Sequence, residues 1–282
     1  MMRINGTASA TPASGIQSQV VYGRVGNNAA IPALEACGLL TAAVPTALLS
    51  NTPHYPSVHG GAVPDTWFAG WLDDLEARGI PACARVVQVG FLGAPSQARI
   101  LASWWSTMRE RHPQLRLHLD PVIGDYDQGV YAAAGMAEAW RTLLIPEAHG
   151  LVPNRFELEH ITGRTLQGLA DCREAARALL RGPTQWVVVT SVQDDPESAV
   201  VQTLLETQEG VSRLFEHPHV PCVAKGAGDY FAARLTGHCL LGIEMPQAVE
   251  RACGDTAEQL TRTRRLGWEE MAIHAMDGSV RP

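Results

Sequence analysis

Short apolar runs alternate with amphipathic helical segments along most of this 282-residue chain. The runs that read as strands are 39–46, 85–91, 115–122, 150–153 and 185–192. The segments with apolar residues at helical spacing are 64–78, 96–111, 165–180, 227–241 and 246–264. Parallel strands need long crossover connections, which are usually helices. The alternation therefore predicts an α/β fold, with a mostly parallel central sheet and helices on both faces.

Two regions depart from this alternation. Residues 199–218 read as two strands joined by a turn at Glu209-Gly210, which predicts a small antiparallel edge. Residues 1–15 are small and polar and lack the charged start and apolar run of a targeting segment, so we expect a loose tail. No repeat, low-complexity block or linker divides the remainder, so we expect a single domain over 16–282.

Composition excludes several classes of protein. Apolar residues make up 46% of the chain and charged residues 18%, as in ordinary globular proteins and unlike disordered ones. A formal charge of −7 argues against broad binding to nucleic acids or anionic membranes. The six cysteines are scattered, and no apolar run approaches the roughly 20 residues that span a bilayer. We therefore expect a cytoplasmic protein with reduced thiols.

The segment 225–229 (KGAGD) carries the clearest chemical signal. Gly226 and Gly228 flank Ala227 at the start of a helical segment, so backbone N–H groups there can approach an anion closely. Asp229 follows at once and could take a proton from a hydroxyl that attacks phosphorus. The alternative is an ordinary helix entry, with Asp229 as a capping or first-turn acid.

Two further segments are typical of ligand sites in open α/β sheets. Residues 17–27 place Ser18, two glycines and Asn27 at a strand-to-helix passage; the alternative is a turn in which Asn27 caps the following helix. Residues 50–61 form a polar and aromatic loop after a strand, where His54 and Tyr55 could contact an aromatic ring. A plain surface loop with a stacked tyrosine is the alternative for this second segment.

Acidic residues follow two of the predicted strands. Asp120 ends the run 115–122, at the strand end where such sheets place ligands, and carboxylates there suit Mg²⁺ bound to phosphates. A solvated acidic loop is the preferred interpretation for Asp125 and Asp127. Asn154 with Glu157 three residues later has the pattern of a helix capping box, which alone explains Glu157.

Taken together, these segments resemble the ribokinase-like small-molecule kinases and, within them, the vitamin B6 kinases. The segments that carry the resemblance, in the order and approximate spacing of the family, are 16–27 (IQSQVVYGRVGN), 48–55 (LLSNTPHY), 60–61 (GG), 120–125 (DPVIGD), 153–159 (PNRFELE), 187–191 (VVVTS) and 225–229 (KGAGD). They cover residues 16–260, and the first two are specific to the vitamin B6 branch. The resemblance implies a ribokinase-like three-layer fold and transfer of the ATP γ-phosphoryl group to the 5′-hydroxymethyl of pyridoxal, pyridoxine or pyridoxamine.

The resemblance also implies roles for individual residues, partners and ions. Asp229 would be the base, and Gly226, Ala227 and Gly228 would form the anion hole. The other implied contacts are Ser18, His54, Tyr55 and Asp229 for the vitamer, Asp120, Val152, Thr190, Lys225 and Gly228 for ATP, and Tyr131 and Glu157 for the metal side. Mg²⁺ is the implied ion, a K⁺ requirement is left open, and a homodimer is implied as the assembly.

The chain departs from the family pattern in three places. Residues 8–15 replace the usual apolar first strand, and Pro12 would interrupt strand pairing. Val152 and Ala227 stand where threonines are common, so two hydroxyl groups near ATP are lost. Two alternatives therefore stay open: a kinase of another hydroxymethylated heterocycle such as hydroxymethylpyrimidine, and a non-catalytic member that binds the vitamer or nucleotide.

Overall fold

A large twisted sheet organises the molecule, which is described by a computed structural model over residues 13–195 and 198–273. The strands are β1 (Ala13–Tyr22), β2 (Thr41–Asn51), β3 (Gly60–Ala62), β4 (Val86–Val89), β5 (Arg116–Leu119), β6 (Gly124–Asp125), β7 (Gly129–Val130), β8 (Gly150–Leu151), β9 (Trp186–Val189), β10 (Val200–Thr207) and β11 (Ser212–Pro218). The nine strands other than β6 and β7 form one sheet, in the order β11-β10-β9-β8-β5-β4-β1-β2-β3. Strands β6 and β7 form a separate antiparallel pair.

Helices follow most of the strands. They are α1 (Asn27–Glu35), α2 (Asp65–Ala77), α3 (Ile80–Cys83), α4 (Pro95–Arg111), α5 (Met136–Ala139), α6 (Arg155–Thr162), α7 (Leu169–Ala178), α8 (Ala227–Leu240) and α9 (Met245–Leu266). A π-helical turn (Trp140–Leu144) and a 3-10 turn (Ile145–Glu147) extend α5. No helix among residues 13–195 and 198–273 is long and apolar enough to cross a membrane.

The strand directions confirm the predicted fold class. The six central strands β9, β8, β5, β4, β1 and β2 are parallel neighbours. Strand β3 is antiparallel to β2, and β10 and β11 form the antiparallel edge predicted for 199–218. The result is a mostly parallel sheet with antiparallel strands at both edges.

Alternate residues of the strands feed two separate hydrophobic layers. In β9, Val187 and Val189 pack into the larger core with residues of α2, α4 and α7. Trp186 and Val188 face the other way and pack against residues of α8 and α9. This alternation is what a strand buried on both faces requires, and it gives the three layers that the family resemblance implies.

The first strand begins earlier than the sequence indicates. Residues 13–15, which we expect to belong to the tail, instead start β1 and pair with both β2 and β4. Their small size is the physical reason: a Cβ atom on Gly15 would lie 2.9 Å from Asn27 Oδ1, so α1 packs where a larger side chain would stand. Ala13 is fully buried there. The rest of the expected tail, residues 1–12, lies outside the described residues.

The carboxyl ends of the parallel strands converge on one edge of the sheet. The loop after β1, Asp120 after β5, Asn154 after β8 and Thr190 after β9 all lie at this edge. The amino-terminal end of α8 meets the same edge, because Asp229 contacts the loop after β1. Ligands of open α/β sheets bind at such an edge. These residues are therefore the candidates for a ligand-binding site.

Candidate active site

The loop after β1 and the start of α8 are packed directly against each other. Gly226, the residue before α8, has φ 95°, and a Cβ atom there would lie 1.8 Å from the carbonyl oxygen of Arg24. Only glycine allows this approach and this backbone conformation. The N–H of Gly26 donates a hydrogen bond to Asp229 Oδ2 at 2.9 Å. The candidate base is therefore held at one oxygen by the backbone of a neighbouring loop.

Burial changes the acidity of Asp229. It raises the pKa of this carboxyl to about 6, and the hydrogen bond from the Gly26 N–H opposes the shift. A carboxylate with a pKa near the working pH is suited to take a proton during a reaction. The first N–H groups of a helix have no carbonyl partner within it, so the start of α8 also presents donors to an anion beside this carboxylate.

Two buried carboxyl groups share this edge of the sheet with the half-buried Asp229. Asp120 is 8% exposed and Glu157 is 3% exposed. The pKa of Asp120 is raised well above its ordinary value by burial, and further by the charges of Glu157 and Asp229. Burial raises the pKa of Glu157 to about 8, against the hydrogen bonds from backbone N–H groups. The structure thus brings together three acids that the sequence places far apart.

Glu157 has a structural role that accounts for both of its oxygens. Its Oε2 accepts from the N–H of Asn154 at 2.8 Å, while Asn154 Oδ1 accepts from the N–H of Glu157, which confirms the predicted capping box. Its Oε1 accepts from the N–H of Ile123 at 3.0 Å, which ties α6 to the segment after β5. Tyr131, half exposed, has its pKa raised by partial burial and by the nearby charge of Glu157.

The residues expected at ATP occupy different environments. The N–H of Thr190 donates to the Pro153 carbonyl oxygen at 3.0 Å, and the side chain is half-buried at the end of β9. Lys225 is also half-buried, just before α8. Val152 differs, because its side chain packs in the apolar layer with Trp186 and Val188. Any contact between Val152 and a nucleotide would have to come from its backbone.

The residues expected at the vitamer lie at the other end of the same edge. Ser18 is 7% exposed and packs against Gly26, where a Cβ atom would lie 2.4 Å from Ser18 Oγ. His54 is exposed and stacks on Tyr55, with ring centroids 4.2 Å apart. Tyr55 is also 5.9 Å from Tyr22 between ring centroids. These aromatic rings form a wall to which a flat heterocycle could stack.

Sequence reasoning missed two parts of this site. The Gly26 N–H that binds Asp229 comes from a residue 203 positions away. Glu270 accepts from the Tyr55 hydroxyl at 2.9 Å and from the Arg24 N–H at 2.8 Å, across 215 and 246 positions. Gly26 belongs to the glycine-containing segment 17–27, but nothing there indicates its bond to Asp229, and Glu270 stands in no local pattern that marks it. Only the folded chain brings these groups together.

Known proteins resemble this chain over nearly its whole length. The family model described as phosphomethylpyrimidine kinase matches residues 23–274. The pyridoxine/pyridoxal/pyridoxamine kinase of Bordetella bronchiseptica is 49% identical over 259 residues, which cover 92% of this chain and 91% of that protein. The chain belongs to the pyridoxine/pyridoxal/pyridoxamine kinase family. The pyridoxal kinase PdxY of Deinococcus radiodurans is a more distant relative, 34% identical and covering 93% of this chain and 90% of its own.

The fold agrees with this family. The structure of pyridoxal kinase from Leishmania donovani in complex with ADP and pyridoxine matches with a TM-score of 0.83 at 28% identity, covering 94% of this chain and 90% of that one. The comparisons confirm the resemblance drawn from the sequence motifs and the ribokinase-like fold. In this chain the small residues 13–15 begin a central strand that pairs with a neighbour on each side.

Proposed function

We propose that this chain transfers the γ-phosphoryl group of ATP to the 5′-hydroxymethyl group of pyridoxal, pyridoxine or pyridoxamine. One relative that carries these activities in its name is 49% identical to it, and a related structure holds ADP and pyridoxine together. The observation that carries the proposal is the Asp229 carboxyl, held by the Gly26 N–H at the start of α8 with a pKa of about 6. Phosphoryl transfer to a hydroxyl requires a base that lies next to an anion-binding group, here the N-terminal end of a helix.

The proposed reaction uses the two oxygens of Asp229 differently. Oδ2 is engaged by the Gly26 N–H, so Oδ1 accepts the proton of the 5′-hydroxyl as that oxygen attacks the γ-phosphorus. The new bond joins the vitamer oxygen to phosphorus, the bond to the ADP oxygen breaks, and ADP leaves with the electron pair. The N–H groups at Gly226, Ala227 and Gly228 stabilise charge that grows on the transferred group.

The acidic end of the site fits a magnesium ion that arrives with ATP. The charges of Glu157 and Asp229 add to burial in raising the pKa of Asp120, and a cation bound among these carboxyl groups would offset their mutual repulsion. No group of three or more His, Cys, Asp or Glu side chains in the described parts of the chain is arranged to hold a metal directly. Asp120, Tyr131 and Glu157 would therefore hold Mg²⁺ mainly through its waters and the phosphates. When bound, the ion supplies charge neutralisation on the phosphoryl oxygens.

In the proposed site the aromatic rings of His54 and Tyr55 stack against the heterocyclic ring of the substrate. His54 and Tyr55 stack on each other at the mouth of the site, and Ser18 offers a hydroxyl beside Gly26. The second candidate substrate is hydroxymethylpyrimidine, because the matching family model is described as phosphomethylpyrimidine kinase. Both substrates present a hydroxymethyl group on a flat nitrogen heterocycle.

We also propose a homodimer that forms through the exposed face at the end of β1 and β2. Gln19 pairs with Leu48 across these strands, so Val21 and Leu48 lie on the same face of the sheet. Val21 is 90% exposed and Leu48 is 43% exposed. The neighbouring edge strand, Gly60–Ala62, is only three residues long. Exposed apolar side chains beside such a strand are suited to association with a second copy of the chain.

The test is an ATP-consumption assay on the purified protein with Mg²⁺, with and without K⁺. The acceptors are pyridoxal, pyridoxine, pyridoxamine, hydroxymethylpyrimidine and none, and the phosphorylated position is assigned by phosphorus NMR. We expect turnover with the three vitamers and a 5′-phosphate product. Preferential turnover of hydroxymethylpyrimidine would establish the second candidate. Vitamer binding without ATP consumption by the folded protein would establish a non-catalytic member and refute the proposal.

A further inference from the structure

One carboxylate joins two loops of the vitamer side to the carboxyl-terminal segment. Glu270 Oε1 accepts a hydrogen bond from the Tyr55 hydroxyl at 2.9 Å. Its other oxygen, Oε2, accepts from the Arg24 N–H at 2.8 Å. Both oxygens approach Gly23 so closely that a Cβ atom there would lie 3.3 Å from each of them. The carboxylate is therefore seated between the loop after β1 and the loop between β2 and β3.

The segment that presents Glu270 is firmly anchored. Met271 and Ile273 are buried in the apolar layer formed with residues of α1 and α8. The N–H of Ala272 donates to the buried side-chain hydroxyl of Thr263 in α9 at 2.9 Å. The N–H of Trp268 donates to the carbonyl oxygen of the same Thr263 at 3.2 Å. Glu270 thus stands on a fixed support, while its two partners lie in loops.

The two bonds of Glu270 lead to different parts of the site. Through the Tyr55 hydroxyl it fixes a ring that stacks on His54 at 4.2 Å and lies 5.9 Å from Tyr22. Through the Arg24 N–H it fixes a loop whose Gly26 N–H binds Asp229, two residues further along. Both loops are therefore held in part by this one side chain.

We propose that Glu270 is a positioning residue for the vitamer. In this role it holds the Tyr55 ring and the loop after β1 in the conformation that receives the heterocycle, without touching the reacting atoms. The inference rests on the proposed function and adds a residue to its substrate side. The acids expected at the metal and nucleotide, Asp120 and Glu157, make their contacts with other segments. Loss of Glu270 should therefore weaken vitamer binding more than ATP binding.

The experiment compares Glu270→Ala, Glu270→Gln and the neighbouring Glu269→Ala with the wild-type chain. Glu269 is exposed and serves as the matched control. We expect Glu270→Ala to raise the KM for pyridoxal about tenfold, equivalent to about 1.4 kcal/mol, with the KM for ATP within twofold. Glutamine keeps a side-chain acceptor for the Arg24 N–H, so Glu270→Gln should restore most of the affinity for pyridoxal. Glu269→Ala should behave as wild type.

A double-mutant cycle with Tyr55→Phe separates positioning from simple support of the fold. If Glu270 acts partly through the Tyr55 hydroxyl, the two changes will be less than additive in their effect on the pyridoxal KM. The inference would be overturned if Glu270→Ala raised the KM values for pyridoxal and ATP equally and lowered the melting temperature, and if Glu270→Gln showed the same defects. Glu270 would then be a structural residue only. An unchanged pyridoxal KM would also overturn the inference. Absence of turnover in the wild type would instead refute the proposed function, which keeps the two failures distinct.

Discussion

The residue on which the proposed chemistry depends most is Asp229, because its two oxygens have separate tasks. Oδ2 accepts from the Gly26 N–H, and this bond fixes the direction of Oδ1. Burial raises the pKa of the carboxyl to about 6, while the same N–H restrains that shift. The backbone of Gly26 therefore influences both the position and the acidity of the proposed base.

The raised pKa of Asp229 predicts a pH dependence of the reaction. The base must be deprotonated to accept a proton, and with a pKa of about 6 it is protonated below that pH. We expect kcat/KM for the vitamer to be level above pH 7 and to fall about tenfold per unit below pH 6, because this ratio reports the ionisation of the free enzyme.

The measurement is a pH profile with two vitamers, pyridoxine and pyridoxamine. Their own ionisations differ, so a limb common to both profiles belongs to the enzyme. A profile that stays level down to pH 5 for both vitamers would contradict the raised pKa of Asp229, since a base with a pKa of about 6 is mostly protonated at pH 5.

The site could be predicted from the sequence where its residues stand in local motifs. Asp229 follows two glycines, and Asp120 ends an apolar run, so each was recognisable in place. Glu270 follows another glutamate in a short polar stretch, and its importance arises from contacts with Arg24 and Tyr55. Contacts over such distances are set by how the sheet and α9 pack, which no local pattern in one sequence records.

At the scale of elements, helix α6 shows how a local motif also builds the site. The Asn154 side chain accepts from the Glu157 N–H and donates to the Gly124 carbonyl oxygen at 2.9 Å. The first bond caps α6, and the second ties the helix to β6. The capping box therefore positions the acidic end of the site as well as the helix.

This double role predicts a graded loss of stability. Asn154→Ala removes both bonds and should lower the free energy of unfolding by about 2 kcal/mol, since a cap alone contributes about 1 kcal/mol. Asn154→Ser keeps an oxygen that can cap the helix and should lose only about half as much. Urea denaturation of the protein without ligands measures both variants. Equal stability of Asn154→Ala and the wild type would show that the capping box is energetically unimportant here.

The sequence did not predict the start of β1, the short strands β6 and β7, or the exact start of α7, because the residues there carry no apolar periodicity. Strand β1 starts with small residues that carry no apolar signature, although they fit beneath α1. The pair β6 and β7 is only two residues long in each strand, too short for any periodicity. The predicted helix 165–180 begins at Leu169, because the N–H of Gln167 donates to the Asp171 side chain and the preceding residues form a loop. Periodicity therefore predicted the long elements and missed their ends.

At the scale of the whole molecule, the proposed homodimer makes its own prediction. A glutamate at Val21 would place a charge on an exposed apolar face of the sheet, and the symmetry of a dimer would place two such charges near each other. We expect the wild-type chain to sediment with twice its monomer mass, and Val21→Glu to shift it toward the monomer.

Val21→Thr is the matched control, because threonine has a similar shape and strand preference without the charge. It should retain the mass of the wild type in sedimentation equilibrium at the same concentration. A wild-type chain that sediments as a monomer at micromolar concentration would contradict the proposed assembly. A dimeric Val21→Glu variant would place the interface on another face.

The measurement that tests the central claim most directly compares Asp229→Asn with the wild-type chain. Asparagine keeps an oxygen for the Gly26 N–H but cannot take a proton at neutral pH. We predict that turnover of pyridoxal falls by at least about a hundredfold, within the range attributed to general base catalysis, while the dissociation constant of Mg·ATP stays within about threefold. Turnover of the variant at the wild-type rate would show that Asp229 is not the base and contradict the account.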